Sequence, residues 1–118
     1  MSKNLLYIFE VEGKKAGMFK LVPFPYRTTH LVYLGGVAMH PNFMGKGLGI
    51  MMMQEIIAFS VKLGFNRIEL STATTNAKAV HLYEKVGFQR EGVLRRYTYL
   101  KSENRYLDEV VMSYLAKI

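Results

Sequence analysis

The sequence predicts an α/β domain with a mixed sheet, its elements running β-β-β-α-β-α-β-β. Three observations carry that expectation. Short apolar runs with strand character fill residues 5–39. Two stretches with apolar residues at helical spacing follow, at 47–63 and 76–86. A pair of strand-like runs then closes the chain between residues 92 and 115.

Residues 5–12 (LLYIFEVE) form the first strand and residues 16–22 its partner, joined through a turn at Glu12-Gly13-Lys14. Pro23, Pro25 and Thr28-Thr29 make a loop. Residues 30–39 are a third strand, whose nearly continuous apolar character marks a central position buried on both faces. Gly35-Gly36 within it signals a bulge or a close backbone approach. Pro41 and Asn42 stop the run, because proline has no amide hydrogen for a ladder. Residues 47–63 form the first helix, apolar on more than one side and ended by Gly64. Its Met51, Met52 and Met53 read as core filler. The fourth strand spans 66–72, and the second helix spans 76–86 with Gly87 in the C-cap position. Residues 92–101 and 105–115 make a hairpin across Ser102-Glu103-Asn104.

The totals narrow the class. A length of 118 residues suits one domain, covering 1–118. Half the residues are hydrophobic, as a packed core requires. With no cysteine the chain has no disulfide, thiolate metal site or cysteine acyl-enzyme, and it fits a cytoplasmic setting. The net charge of +7 is spread from Lys3 to Lys117 without an interleaved basic and aromatic stripe, so no nucleic-acid partner is expected. No amino-terminal apolar run is long enough for a signal or membrane segment, so no membrane partner is expected either. Histidine, aspartate and glutamate show no metal-ligand spacing, and no metal is expected.

Chemistry concentrates at residues 37–50, VAMHPNFMGKGLGI, which pass from strand through a glycine-rich loop into helix. Gly45, Gly47 and Gly49 at alternate positions bend the backbone and leave its amides bare of side chains. A helix that starts there points free N–H groups and its positive dipole end forward, which makes an anion site suited to a pyrophosphate. A Walker loop is excluded, because Lys46 is followed by Gly47 and Leu48 and not by a serine or threonine. The dinucleotide fingerprint is excluded too, since the glycines are spaced GxGxG.

A second stretch decides the class. In residues 76–88, NAKAVHLYEKVGF, Asn76 and Tyr83 lie two helical turns apart on one face. Together the two stretches resemble the GNAT superfamily of acetyl-CoA-dependent N-acyltransferases. The family's acyl-CoA motif, Arg or Gln-x-x-Gly-x-Gly or Ala, reads here Met44-Gly45-Lys46-Gly47-Leu48-Gly49. Its second signature, N-x-x-A-x-x-L-Y-x-x-x-G-F, is met by Asn76, Ala79, Leu82, Tyr83, Gly87 and Phe88. The resemblance covers residues 5–115 and implies a GNAT-like fold that lacks the usual first strand and two helices.

The resemblance also implies roles. Backbone amides of Gly45, Lys46, Gly47, Leu48, Gly49 and Ile50 would hold the pyrophosphate of acetyl-CoA, with the pantetheine arm along Val37, Ala38 and Met39 and against Asn76. Asn76 is equally suited to be a helix N-cap, and both can hold together. Tyr83 would be the general acid, since a phenol with pKa about 10 is protonated at working pH. For the base, some relatives use a glutamate on the fourth strand, where this chain has Ser71. Glu69, two residues earlier on the same strand face, is the first choice, with His30, Tyr33 or a water chain as alternatives. Met44 replaces the family's Arg or Gln and should weaken CoA binding without removing the backbone site.

The implied activity is transfer of an acetyl group to a primary amine: a protein N-terminus, a polyamine or a small metabolite. The alternative is a CoA-binding or interaction module that needs a partner to complete the acceptor side. A homodimer is expected, because the hairpin of residues 5–22 becomes a sheet edge and Leu5, Leu6, Ile8, Phe9, Met18 and Phe19 would form an apolar patch. Tyr97, Tyr99, Tyr106 and Tyr114 mark a second possible surface.

Overall fold

The computed structural model describes residues 5–45 and 47–117. Its order is β1 (Leu5–Val11), β2 (Lys14–Pro23), β3 (Leu31–Met39), α1 (Leu48–Lys62), β4 (Arg67–Ala73), α2 (Ala77–Lys85), β5 (Gln89–Leu100) and β6 (Arg105–Leu115). Short 3-10 turns at Tyr26–Thr28 and Pro41–Phe43 occupy the segments on either side of β3. The strands form one sheet in the order β1-β2-β3-β4-β6-β5. β3 and β4 run parallel, and the remaining neighbours are antiparallel. A parallel pair needs a long crossover, and α1 supplies it.

Local chemistry explains the joints. Glu12 and Gly13 both take positive φ, 51° and 77°, as a two-residue hairpin turn between right-twisting strands demands. Gly64 takes φ 102° just past α1, a conformation that ends a helix with little steric cost to glycine. Asn76 caps α2, its Oδ1 accepting the Ala79 N–H at 3.2 Å. Such a cap stabilises a helix by about 1 kcal/mol.

Alternation along the strands divides the sheet into two faces. Val32 and Leu34, Ile68 and Leu70, Val110 and Met112 point to one side and are buried there. Met52, Met53, Ile56 and Ile57 of α1 and Val80 of α2 join them in a single core. The other face carries Tyr33, Arg67, Glu69, Ser71 and Glu109, and is largely polar at its centre.

Three sequence expectations need correction. β3 is central, but only Leu31 to Leu34 are consistently enclosed, and Gly36 and Ala38 are exposed. Met52 and Met53 fill the core as expected, whereas Met51 faces out. The apolar patch of the first hairpin splits between the faces: Leu6, Ile8 and Met18 are exposed, while Phe9 and Phe19 are buried. The Leu5 side chain lies outside the description.

Candidate active site

The site begins where two strands part. β3 and β4 pair only through Leu31↔Arg67, Val32↔Ile68 and Tyr33↔Glu69. Beyond that, β4 stays with β6 through Ala73, and β3 stays with β2 through Met39. The inner edge of β3 from Leu34 to Met39 is therefore left without a strand partner. Gly36, with φ 59°, marks the bulge expected at Gly35-Gly36: three residues of β3 span the interval that two residues of β2 cover. Between the parted strands lies a cleft of about 310 Å³, lined by Tyr33, Val37, Ser71, Asn76 and Tyr83 among others. A larger hollow of about 580 Å³, against His81, Glu84 and Arg90, opens on a different side of α2 and holds neither Tyr83 nor Asn76.

The glycine loop stands at the end of β3. Gly45 and Gly47 take φ 77° and 72°, and a Cβ on either would meet nothing within 4 Å. Backbone conformation, not crowding, is thus what calls for glycine at these positions. Gly47 is the N-cap of α1, with no side-chain cap and no acidic residue in the first turn. The amides of Leu48, Gly49 and Ile50 keep their capacity to bind an anion. Lys46 lies outside the described residues, and Met44 is exposed. A Cβ built on Gly49 would stand 3.5 Å from Leu82 Cδ2, so the two signature stretches pack against each other.

Asn76 uses its side-chain oxygen on the helix, which leaves its NH₂ as a donor at the cleft. Tyr83, half-buried two turns further along the same face, is shaped by its surroundings. Burial pushes its hydroxyl above the ordinary tyrosine value, and the neighbouring Tyr33 adds to the rise. The ring is braced by Phe88 at 6.0 Å, which in turn meets Tyr114 at 5.8 Å.

Glu69 is placed opposite Tyr33, but its carboxylate is taken by Arg67, whose Nε and Nη2 donate at 3.1 and 2.9 Å. It is absent from the cleft lining. His30 is exposed at the start of β3. Sequence reasoning passed over Glu109. Ser71 Oγ donates to Glu109 Oε1 at 2.7 Å, Ser71 meets the Tyr33 hydroxyl at 3.0 Å, and Thr98 donates to Glu109 Oε2 at 2.5 Å. The available signal was the pattern of residues 109–113, where Glu109 and Ser113 alternate with the apolar Val110 and Met112. Among the described residues no group of acids and histidines could hold a metal ion.

This chain belongs to the GNAT family of acetyltransferases: residues 2–88 match the model of the Acetyltransferase (GNAT) family. Among relatives, it is 28% identical over 100 residues to N-acetyltransferase aca1 of Schizosaccharomyces pombe, covering 83% of this chain and 47% of that protein. It is 27% identical to a spermidine N(1)-acetyltransferase of Escherichia coli, covering 84% and 53%. To a ribosomal protein bS18-alanine N-acetyltransferase of Salmonella typhimurium it is 31% identical, covering 68% and 53%. The chain thus spans about half the length of the curated relatives it matches. Among solved structures, a GNAT-family acetyltransferase from Streptococcus pneumoniae superposes with a TM-score of 0.82 at 27% identity, covering 95% of this chain and 67% of that one. A spermidine N-acetyltransferase chimera from Vibrio cholerae and hSSAT gives 0.84 at 28% identity, covering 93% and 68%.

Proposed function

We propose that the chain is an acetyl-CoA-dependent N-acetyltransferase that moves an acetyl group directly to a primary amine. The observation that carries this reading is a proton-bearing Tyr83 lining the cleft between β3 and β4. The bare helix start would take the pyrophosphate, and the free edge of β3 at Val37, Ala38 and Met39 would pair with the pantetheine arm. Acetyl-CoA supplies the activated acyl group. Of this chain's own residues, Asn76 orients the arm and Tyr83 delivers a proton to the departing sulfur. A half-buried phenol suits that task, because burial keeps it protonated at neutral pH.

A polyamine, a protein N-terminus or a small amine metabolite would each present the required nitrogen. The relatives named for spermidine and for ribosomal-protein alanine support amines of those kinds. We also infer self-association, through β1 at the sheet edge with its exposed Leu6 and Ile8, or through exposed Tyr97, Tyr99 and Tyr106. Sedimentation at micromolar concentration tests it, and a stable, active monomer would refute it.

The test of function is CoA thiol release from acetyl-CoA, followed with and without spermidine, an alanine-terminated peptide and simple alkylamines. Amine-dependent release is expected. Binding of CoA without release on any amine would leave a CoA-binding module that needs a partner.

A further inference from the structure

Ser71 sits between two oxygen groups and has one proton to give. That proton goes to Glu109, at 2.7 Å. The contact between Ser71 and Tyr33, at 3.0 Å, must then be donated by the Tyr33 phenol. The hydroxyls therefore run one way, from the cleft through Tyr33 and Ser71 to the carboxylate of Glu109. Tyr33 lines the cleft with Tyr83, and its oxygen, having donated its one proton to Ser71, keeps lone-pair capacity. Thr98 donates to the other oxygen of Glu109, and among the described ion pairs none includes Glu109.

Resting on the acetyltransferase reading, we propose that Glu109 is the sink for the proton that the substrate amine sheds, reached through Tyr33 and Ser71. As the amine nitrogen bonds to the thioester carbonyl carbon, the carbon–sulfur bond breaks and its electron pair leaves with sulfur. The nitrogen proton passes to the Tyr33 oxygen, the Tyr33 proton to Ser71, and the Ser71 proton to Glu109. Tyr83 gives its own proton to sulfur. Glu109 ends neutral and Tyr83 ionised, and a proton returned through the cleft restores both. Glu109 acts through other residues and is a positioning and proton-holding group, whereas Tyr33 is the one that meets substrate.

This arrangement divides the labour between two carboxylates of the face. Glu69 is engaged by a guanidinium, while Glu109 accepts only hydroxyl protons. Ionisable groups on the elements around Glu109 include Tyr33 on β3, Glu69 with its partner Arg67 on β4, Arg95 and Arg96 on β5 together with Glu91, which pairs with Arg67 and accepts from Ser113, and Asp108 beside it on β6. Asp108 is occupied in accepting the Arg96 backbone N–H at 2.9 Å.

Glu109→Gln keeps the shape and the acceptor for Ser71 but cannot take a proton. Turnover should fall about a hundredfold or more, the range for a lost base, with acetyl-CoA binding by thermal shift unchanged. The deficit should narrow as pH rises, and it should be smaller for glycinamide, whose nitrogen sheds a proton readily, than for putrescine. Ser71→Ala should give a similar loss, and the double variant should be no worse than either single one, because a chain of transfers is broken only once. A deficit that is equal at every pH and for both amines would show packing alone and overturn the relay. So would additive losses, or full turnover in Glu109→Gln. A wild type that transfers to no amine would overturn the acetyltransferase reading, and the relay with it.

Discussion

Tyr33 and Glu69 form the last rung between β3 and β4, and past them the two strands share no pairing. The rung is the hinge point of the site. Upstream of it the sheet is continuous and buried at Leu31 and Val32; downstream the parted strands frame the cleft that Tyr83 lines.

Gly47→Glu should abolish stabilisation by acetyl-CoA. The substitution places a charged side chain on a residue at φ 72°, which is strained by about 1–3 kcal/mol in any event. Gly47→Ala separates strain from charge and should retain part of the ligand-induced thermal shift. Equal shifts in wild type and Gly47→Glu would remove the loop from the site.

Tyr83→Phe should bind acetyl-CoA normally and lose about a hundredfold to ten-thousandfold in turnover. Because burial raises this hydroxyl, wild-type rates should not fall through loss of the acid until pH exceeds about 10, the ordinary tyrosine value. Its contribution to stability has the same sign: present below that value and lost as pH rises through the higher folded one. A pH–rate profile on both proteins checks the point, and an unaltered rate with chemistry rate-limiting would reduce Tyr83 to packing.

Met44→Arg should tighten acetyl-CoA binding, since Met44 is exposed at the loop and a guanidinium there would meet phosphate. The gain should shrink as salt is raised. Titration calorimetry at two ionic strengths reads it directly; no gain at low salt would mean the side chain points elsewhere.

Glu69→Gln should cost little. The Arg67 pair is partly exposed, so its loss is worth at most about 1 kcal/mol, and turnover should stay close to wild type. A large drop in rate without a drop in acetyl-CoA binding would return Glu69 to the role of base.

Glu91 links acid stability to the polar face. The Ser113 hydroxyl, and after it Arg67, holds the Glu91 carboxyl below its usual range. A lowered folded value means the contribution is present above about 4.5 and lost as pH falls through the folded value. Glu91→Gln should therefore flatten the decline in melting temperature between neutral and acidic pH. An identical decline in both proteins would show the contact to be inconsequential.

The residues of the two signature stretches were legible because their demands are local: glycine for positive φ at 45 and 47, asparagine for the cap at 76, a two-turn spacing from Asn76 to Tyr83. The order of the elements was legible for the same reason. Glu109 was not. Its place beside Ser71 depends on how β6 registers against β4, Ser71 facing Val111 and Ala73 facing Glu109, and neither strand states that register by itself. Alternation put Glu69 on the correct face, yet it could not show that Arg67 had claimed it. Nor could it show the outward excursion of residues 95–97 in β5, where Arg96 sits at φ 52° with its N–H held by Asp108.

The bulge at Gly36 changes the phase of β3. Leu34 and Val37 both face the core although three positions separate them, because the bulge takes up one residue. Were Gly36 deleted, Leu34, Val37 and Met39 would share one face by plain alternation and no bulge would be needed. The extra residue therefore leaves the core side of β3 where it would be anyway and alters only the edge offered to a ligand. In that deletion acetyl-CoA binding should fall while the melting temperature largely holds, and unchanged binding would show the bulge to be dispensable.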